Sequence, residues 1–105
     1  ERATPLVMVL TELIQNSLEH GFASGVSGRV DILAERSAHT LTVTVRDNGR
    51  GVPADFDPRT SGRLGLQIVT TLVDVELGGT IAVTGGPDGG TDATVRVPVG
   101  LTRRT

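Results

Sequence analysis

The chain has 105 residues, 37% of them hydrophobic and 21% charged, which is enough for one domain to bury a core without disulfide or metal staples. Ten Lys and Arg against twelve Asp and Glu give a formal net charge of −2, so the basic footprint that nucleic acid or an anionic membrane surface requires is missing and neither is expected as a partner. With no cysteine, a disulfide framework and a thiolate zinc site are excluded, and the longest apolar run, PLVMVL, is too short to span a bilayer; a cytoplasmic domain excised from a longer chain is the expectation.

Thr4 followed by Pro5 signals a helix start, because a Thr hydroxyl caps free N–H groups and Pro tolerates the first helical position. This predicts a helix over residues 5–20, with Gly21 as its stop. At about 100° per residue, Leu6, Leu10, Leu13, Ile14 and Ser17 form the buried stripe, while Glu12, Asn16, Glu19 and His20 gather on one flank.

GRVDILAE and HTLTVTVRD read as strands, with residues 37–39 as the turn between them. In the second, Leu41, Val43 and Val45 alternate with Thr42, Thr44 and Arg46. Asp47 shares the inward parity, so its carboxylate is predicted to point under the helical layer, where it needs a hydrogen-bond donor. From residue 47 to 65 the chain carries four glycines and two prolines and neither periodicity, which marks a loop long enough to be functional.

LGLQIVTTLVDVEL restores the helical period through Leu64, Ile68, Val69, Leu72 and Val73 and ends at Gly78 and Gly79. GTIAVTGGPDGGTDATVRVP closes the domain as a hairpin turning at GGPDGG. Thr91 has the inward parity of Ala93, Val95 and Val97, so its hydroxyl, rather than that of Thr94, is expected to assist Asp47.

Four polar or glycine-rich blocks punctuate this layout, and singly each is unremarkable: polar helix flanks are usually solvated, Asp-Asn-Gly and glycine-rich stretches usually turn. Their order is informative. ELIQNSLEHG, DNGRG, GRLGL and the Gly90-Thr91 pair resemble, in sequence, the N, G1, G2 and G3 boxes of the GHKL family. That family comprises the ATP-binding domains of histidine kinases, anti-sigma serine kinases, type II topoisomerases, MutL and the ninety-kilodalton chaperones. The resemblance covers nearly the whole chain, and LGLQIVTTLV after a short loop is most similar to the catalytic domains of HisKA_2-type sensor kinases.

The resemblance implies a Bergerat fold: a two-layer α/β sandwich, its mixed sheet covered on one face by helices, forming a single HATPase_c-like domain over residues 1–105. It implies that Mg·ATP is bound and its γ-phosphoryl group donated to a histidine on a separate dimerisation and phosphoacceptor domain, with a response regulator downstream. An anti-sigma-type serine kinase and a non-catalytic ATP-binding interaction module are the alternatives. Asn16 is implied as the Mg²⁺ ligand, Glu12 as the catalytic carboxylate and His20 as a phosphate contact. Asp47 is implied as acceptor for the adenine amine, which answers its need for a donor, and a guanine carbonyl would meet it acceptor to acceptor.

Gly49, Gly51, Val52 and Thr91 complete the base site in this reading, and Gly62, Arg63, Leu64, Gly65 and Leu66 the phosphate site at a helix N-terminus. Arg63 departs from the family's pattern, which has glycine there, and suggests a guanidinium contact to the phosphates in place of close backbone wrapping.

Overall fold

The computed structural model describes residues 3–21, 28–86 and 89–99. In chain order the elements are α1 (Ala3–Asn16), β1 (Val30–Arg36), β2 (Thr40–Asp47), α2 (Leu64–Thr71), β3 (Thr80–Gly85) and β4 (Thr91–Pro98). Each helix ends in a wider, π-type winding, over Ser17–Gly21 after α1 and Leu72–Leu77 after α2. The second helical span therefore covers the residues that its apolar period predicts. The first begins by Ala3, so Thr4 lies within the helix instead of capping it. Pro5 is tolerated there because first-turn N–H groups have no intrahelical acceptor to lose.

The β1–β2 turn is built by Ser37: its Oγ accepts the Thr40 N–H at 3.1 Å, and its own N–H donates to the Thr40 carbonyl at 2.9 Å. Of the predicted GGPDGG turn, residues 87–88 lie outside the described residues.

The four strands form one sheet in the order β1-β2-β4-β3, each neighbouring pair antiparallel. The two-layer α/β architecture is as expected, but among the described residues the sheet is antiparallel instead of mixed. The reason is the position of β4. The crossover through α2 brings β3 back parallel to β2, yet β4 inserts between them and runs opposite to both, so the parallel pair never touches.

Both helices pack on the face that carries Val45, Val83, Ala93, Val95 and Val97. Against these lie Val9 and Leu13 of α1, then Leu66, Val69, Val73 and Leu77 of α2 and its continuation, all at most 1% exposed. Each such side chain contributes roughly 1.5–3 kcal/mol of transfer free energy. The opposite face is polar: Arg46 forms a two-armed ion pair with Asp92 at 2.8 and 2.9 Å, and the Thr44 and Thr94 hydroxyls meet at 3.2 Å. One dry and one wet face are what the period-2 alternation of β2 and β4 encodes.

Two details of the predicted core shift. On α1, Val9 joins Leu13 as fully buried, Ser17 just beyond it is buried as well, and Leu6, Leu10 and Ile14 pack at the core's edge. On α2, Leu64 and Ile68 face outward at 70% and 39% exposure, because the helix turns its Leu66–Val69–Val73–Leu77 stripe to the sheet. Two apolar stripes compete on this helix, and packing selects one of them.

Candidate functional site

The predicted site residues fall into two groups. Glu12, Asn16 and His20, with Gln15 and Glu19, line one wall of a cleft of about 210 Å³ whose other wall is Arg63, Leu64 and Gly65 at the start of α2. The helical spacing places the first set on one flank of α1; only the docking of α2 supplies the second. The approach is close. A Cβ on Gly65 would sit 2.8 Å from Glu12 Oε1, so a side chain here would push this carboxylate from its present position.

Arg63 is the N-cap residue of α2, with extended backbone and no side-chain cap bond, so its side chain does not occupy the first N–H groups of the helix. Those groups and the positive end of the helix dipole suit an anion. Gly62, with φ of 80°, swings the chain into this position, and the Ser61 hydroxyl accepts the Arg63 N–H at 3.2 Å. The Arg63 guanidinium lies 5.1 Å from the centre of the Phe56 ring, and its Nη1 donates to Asn16 Oδ1 at 3.5 Å.

Leu66 is fully buried in the core and does not line the cleft; Leu64 lines it and is exposed. Gln15 Nε2 donates to Glu19 Oε2 at 3.2 Å, and His20 Nε2 is 4.0 Å from Glu19 Oε1, which ties the end of the polar flank together.

The second group surrounds Asp47. Inward parity holds: the residue is 4% exposed and stands opposite Thr91 on β4. Its Oδ1 accepts two backbone N–H groups, from Gly49 at 2.9 Å and from Thr91 at 3.2 Å. Thr91 thus assists Asp47 through its amide, not the hydroxyl expected from parity. Thr94 faces the opposite side of the sheet, bonded to Thr44.

No partner of Asp47 uses Oδ2 among the described residues, and no solvent-excluded side-chain oxygen there lacks a partner, so Oδ2 is the atom left to reach outward. The neighbouring backbone is packed without room for side chains. Gly51 has φ of 78° and a Cβ on it would meet the Gly89 carbonyl at 2.6 Å, while a Cβ on Gly90 would overlap the Asp47 carbonyl. Val52 packs half-buried against the core edge.

Two contributors were missed by motif reading. Asn48 ties the loop to β1, its Oδ1 accepting the Arg29 N–H at 2.8 Å and its N–H donating to the Arg29 carbonyl at 3.2 Å. Phe56 carries the Arg63 guanidinium; its signal was an isolated aromatic in a polar loop.

Whether a divalent cation fits can be asked of the donor set. The cleft offers the amide oxygens of Asn16 and Gln15 and the carboxylates of Glu12 and Glu19, the last already accepting from Gln15, and among the described residues no group of three His, Cys, Asp or Glu could hold a metal alone. A hard, well-hydrated cation that shares itself between one protein oxygen and phosphate oxygens suits this set, and a thiophilic or fully caged metal does not.

Comparison with known proteins gives a consistent neighbourhood. The chain is 53% identical over 105 residues to the sensor histidine kinase PdtaS of Mycolicibacterium smegmatis, covering 99% of this chain and 21% of that protein. To PdtaS of Mycobacterium tuberculosis it is 50% identical over 101 residues, covering 95% and 20%. The chain thus spans about a fifth of the length of these relatives. The histidine kinase domain of the blue-light-activated histidine kinase of Erythrobacter litoralis superposes with a TM-score of 0.78 at 37% identity, covering 92% of this chain and 44% of that one. Residues 1–101 match the family model described as histidine kinase-, DNA gyrase B-, and HSP90-like ATPase, and the chain belongs to that family.

Proposed function

We propose that this chain is the ATP-binding, catalytic domain of a sensor histidine kinase, delivering the γ-phosphoryl group of Mg·ATP to a histidine on a separate dimerisation domain, with a response regulator as the later acceptor. The observation that carries this reading is the cleft in which Glu12, Asn16, Arg63 and Gly65 meet at the uncapped start of α2. Phosphoryl transfer asks a protein chiefly for positioning and for compensation of phosphate charge.

In this assignment Asn16 Oδ1 would hold Mg²⁺, which when bound neutralises phosphate charge and draws the phosphate oxygens into a fixed geometry. Glu12, one turn earlier on the same flank, polarises the attacking imidazole. The α2 N–H groups and Arg63 receive the phosphates, His20 reaches a terminal oxygen, and Asp47 Oδ2 accepts from the adenine amine. The Gly49 and Thr91 N–H groups hold that carboxylate in place, and Gly51 lets the loop pack against the Gly89 and Gly90 carbonyls beside it.

The acceptor histidine is proposed to lie elsewhere in the protein. His39 sits in the β1–β2 turn, where its carbonyl accepts the Val99 N–H at 2.8 Å, and His20 lies in the cleft itself. No helix among the described residues is long and apolar enough to cross a membrane, and a cytoplasmic setting is proposed because the ATP supply is there.

The test is Glu12→Gln in the full-length protein with its acceptor domain. The substitution keeps shape and removes the charged carboxylate, so ATP affinity should hold while phosphohistidine formation falls by about a hundredfold or more. Wild-type phosphorylation in that variant would reduce Glu12 to a solvated residue of the helix flank.

A further inference from the structure

The guanidinium of Arg63 carries donors only and so leaves the first N–H groups of the helix it precedes uncapped. It lies instead on the face of Phe56 and donates to Asn16 Oδ1. That oxygen is the one assigned above to Mg²⁺. A monovalent cation of the protein therefore rests on the atom that the divalent cation needs. Mg²⁺ binds an oxygen at roughly 2.1 Å, which would bring the two positive centres close enough to repel strongly across one amide oxygen.

The charges around them sharpen the point. Glu12 and Glu19 line the same cleft, and the permanent positive charge among its lining residues is that of Arg63. Without it, a triphosphate arriving without metal would face two carboxylates.

From this we propose that Arg63 is a resident counter-cation that alternates with Mg²⁺ at Asn16 Oδ1. With the metal absent, the guanidinium holds Asn16 and compensates phosphate charge, so nucleotide binds without Mg²⁺. With the metal present, the guanidinium yields the oxygen and turns on Phe56 toward the phosphates. The proposal rests on the reading of Asn16 as the metal ligand, and the experiment separates the two.

The measurement is the dissociation constant of a fluorescent ATP analogue in excess Mg²⁺ and in EDTA, for wild type, Arg63→Gln, Arg63→Lys and Asn16→Ala, with thermal unfolding to confirm folding. Arg63→Gln gives up only the contact with the Phe56 ring and the 3.5 Å bond to Asn16 at a partly exposed position, so it should unfold within a few degrees of the wild-type temperature. The ratio of the EDTA constant to the Mg²⁺ constant should rise about tenfold in Arg63→Gln, mainly through weaker binding in EDTA, as expected for loss of one charge-assisted contact. Arg63→Lys, which keeps the charge, should stay nearer the wild-type ratio. Asn16→Ala should bring the ratio close to one. A collapsed ratio in Asn16→Ala with an unchanged ratio in Arg63→Gln overturns the alternation alone. An unchanged ratio in Asn16→Ala overturns the metal assignment and the alternation with it.

Discussion

Replacing Asp47 by Asn changes one atom and tests the proposed role of this residue in selecting the base. In the fold, Oδ1 accepts the Gly49 and Thr91 N–H groups at 2.9 and 3.2 Å, and an Asn Oδ1 can keep both. The changed atom is the outward one, where an amide NH₂ would take the place of Oδ2. That group is a donor, and the adenine amine is also a donor. The variant therefore loses a charge-assisted hydrogen bond of roughly 1.5–3 kcal/mol, and ATP affinity should fall about tenfold to a hundredfold.

Stability should move little. The variant keeps both backbone bonds and no longer holds a charge at a position 4% exposed, so the expected change is within about 1 kcal/mol, or a few degrees in Tm, with a small gain as easily accommodated as a small loss. ATP and GTP titrations with thermal unfolding of wild type and variant decide the matter. Unchanged ATP affinity, or a wild type that binds GTP as well as ATP, refutes the base-selecting role. A Tm lower by ten degrees or more with ATP affinity intact would make Asp47 a strand-end structural residue.

Gly65→Ala should leave the fold standing, since Ala favours the helix by about 1 kcal/mol, yet its Cβ would meet Glu12 Oε1, so phosphorylation by the full-length protein should drop while ATP affinity changes less; wild-type turnover would show that the carboxylate position is immaterial. The loop over residues 52–61 is tethered by Arg59, which forms a two-armed pair with Asp74 at 2.7 and 3.0 Å, so Arg59→Gln should speed amide exchange there and Mg·ATP should slow it. The hydrogen bond from Arg59 holds the Asp74 carboxyl below the ordinary carboxylate range, and the same bond raises the Arg59 guanidinium above its ordinary value. A depressed acid stabilises above its unfolded value and is lost as pH falls through the folded one, while a raised base is lost only in strong alkali. The tether should therefore be indifferent to pH through the neutral range, fail in strong acid and weaken with salt; protection that changes with pH near neutrality, after division by the intrinsic pH-dependent exchange rate, would contradict it.

Much of this domain was legible along the chain because its signals are local. Period-2 alternation is strict, so the parity of β2 and β4 alone put Asp47 and Thr91 inside beside Val45 and Ala93. Helical spacing likewise gathered Glu12, Asn16, Glu19 and His20 on one flank before any packing was known.

What tertiary structure decided is what local signals leave degenerate. The α2 region carries two apolar stripes, Leu64–Ile68–Val75 and Leu66–Val69–Val73–Leu77, and periodicity cannot tell which one meets a sheet; burial shows that the second does. The insertion of β4 between β2 and β3 is a long-range pairing, and hydrophobic pattern fits an edge or a central strand equally. Parity brought Thr91 to Asp47 but not the atom that bonds it, because whether amide or hydroxyl donates depends on ångström-scale backbone placement. The contacts of Gly65 with Glu12 and of Arg63 with Asn16 and Phe56 join segments distant in sequence, and only the docking of α2 against α1, driven by burial of the core between them, brings these polar groups to one cleft.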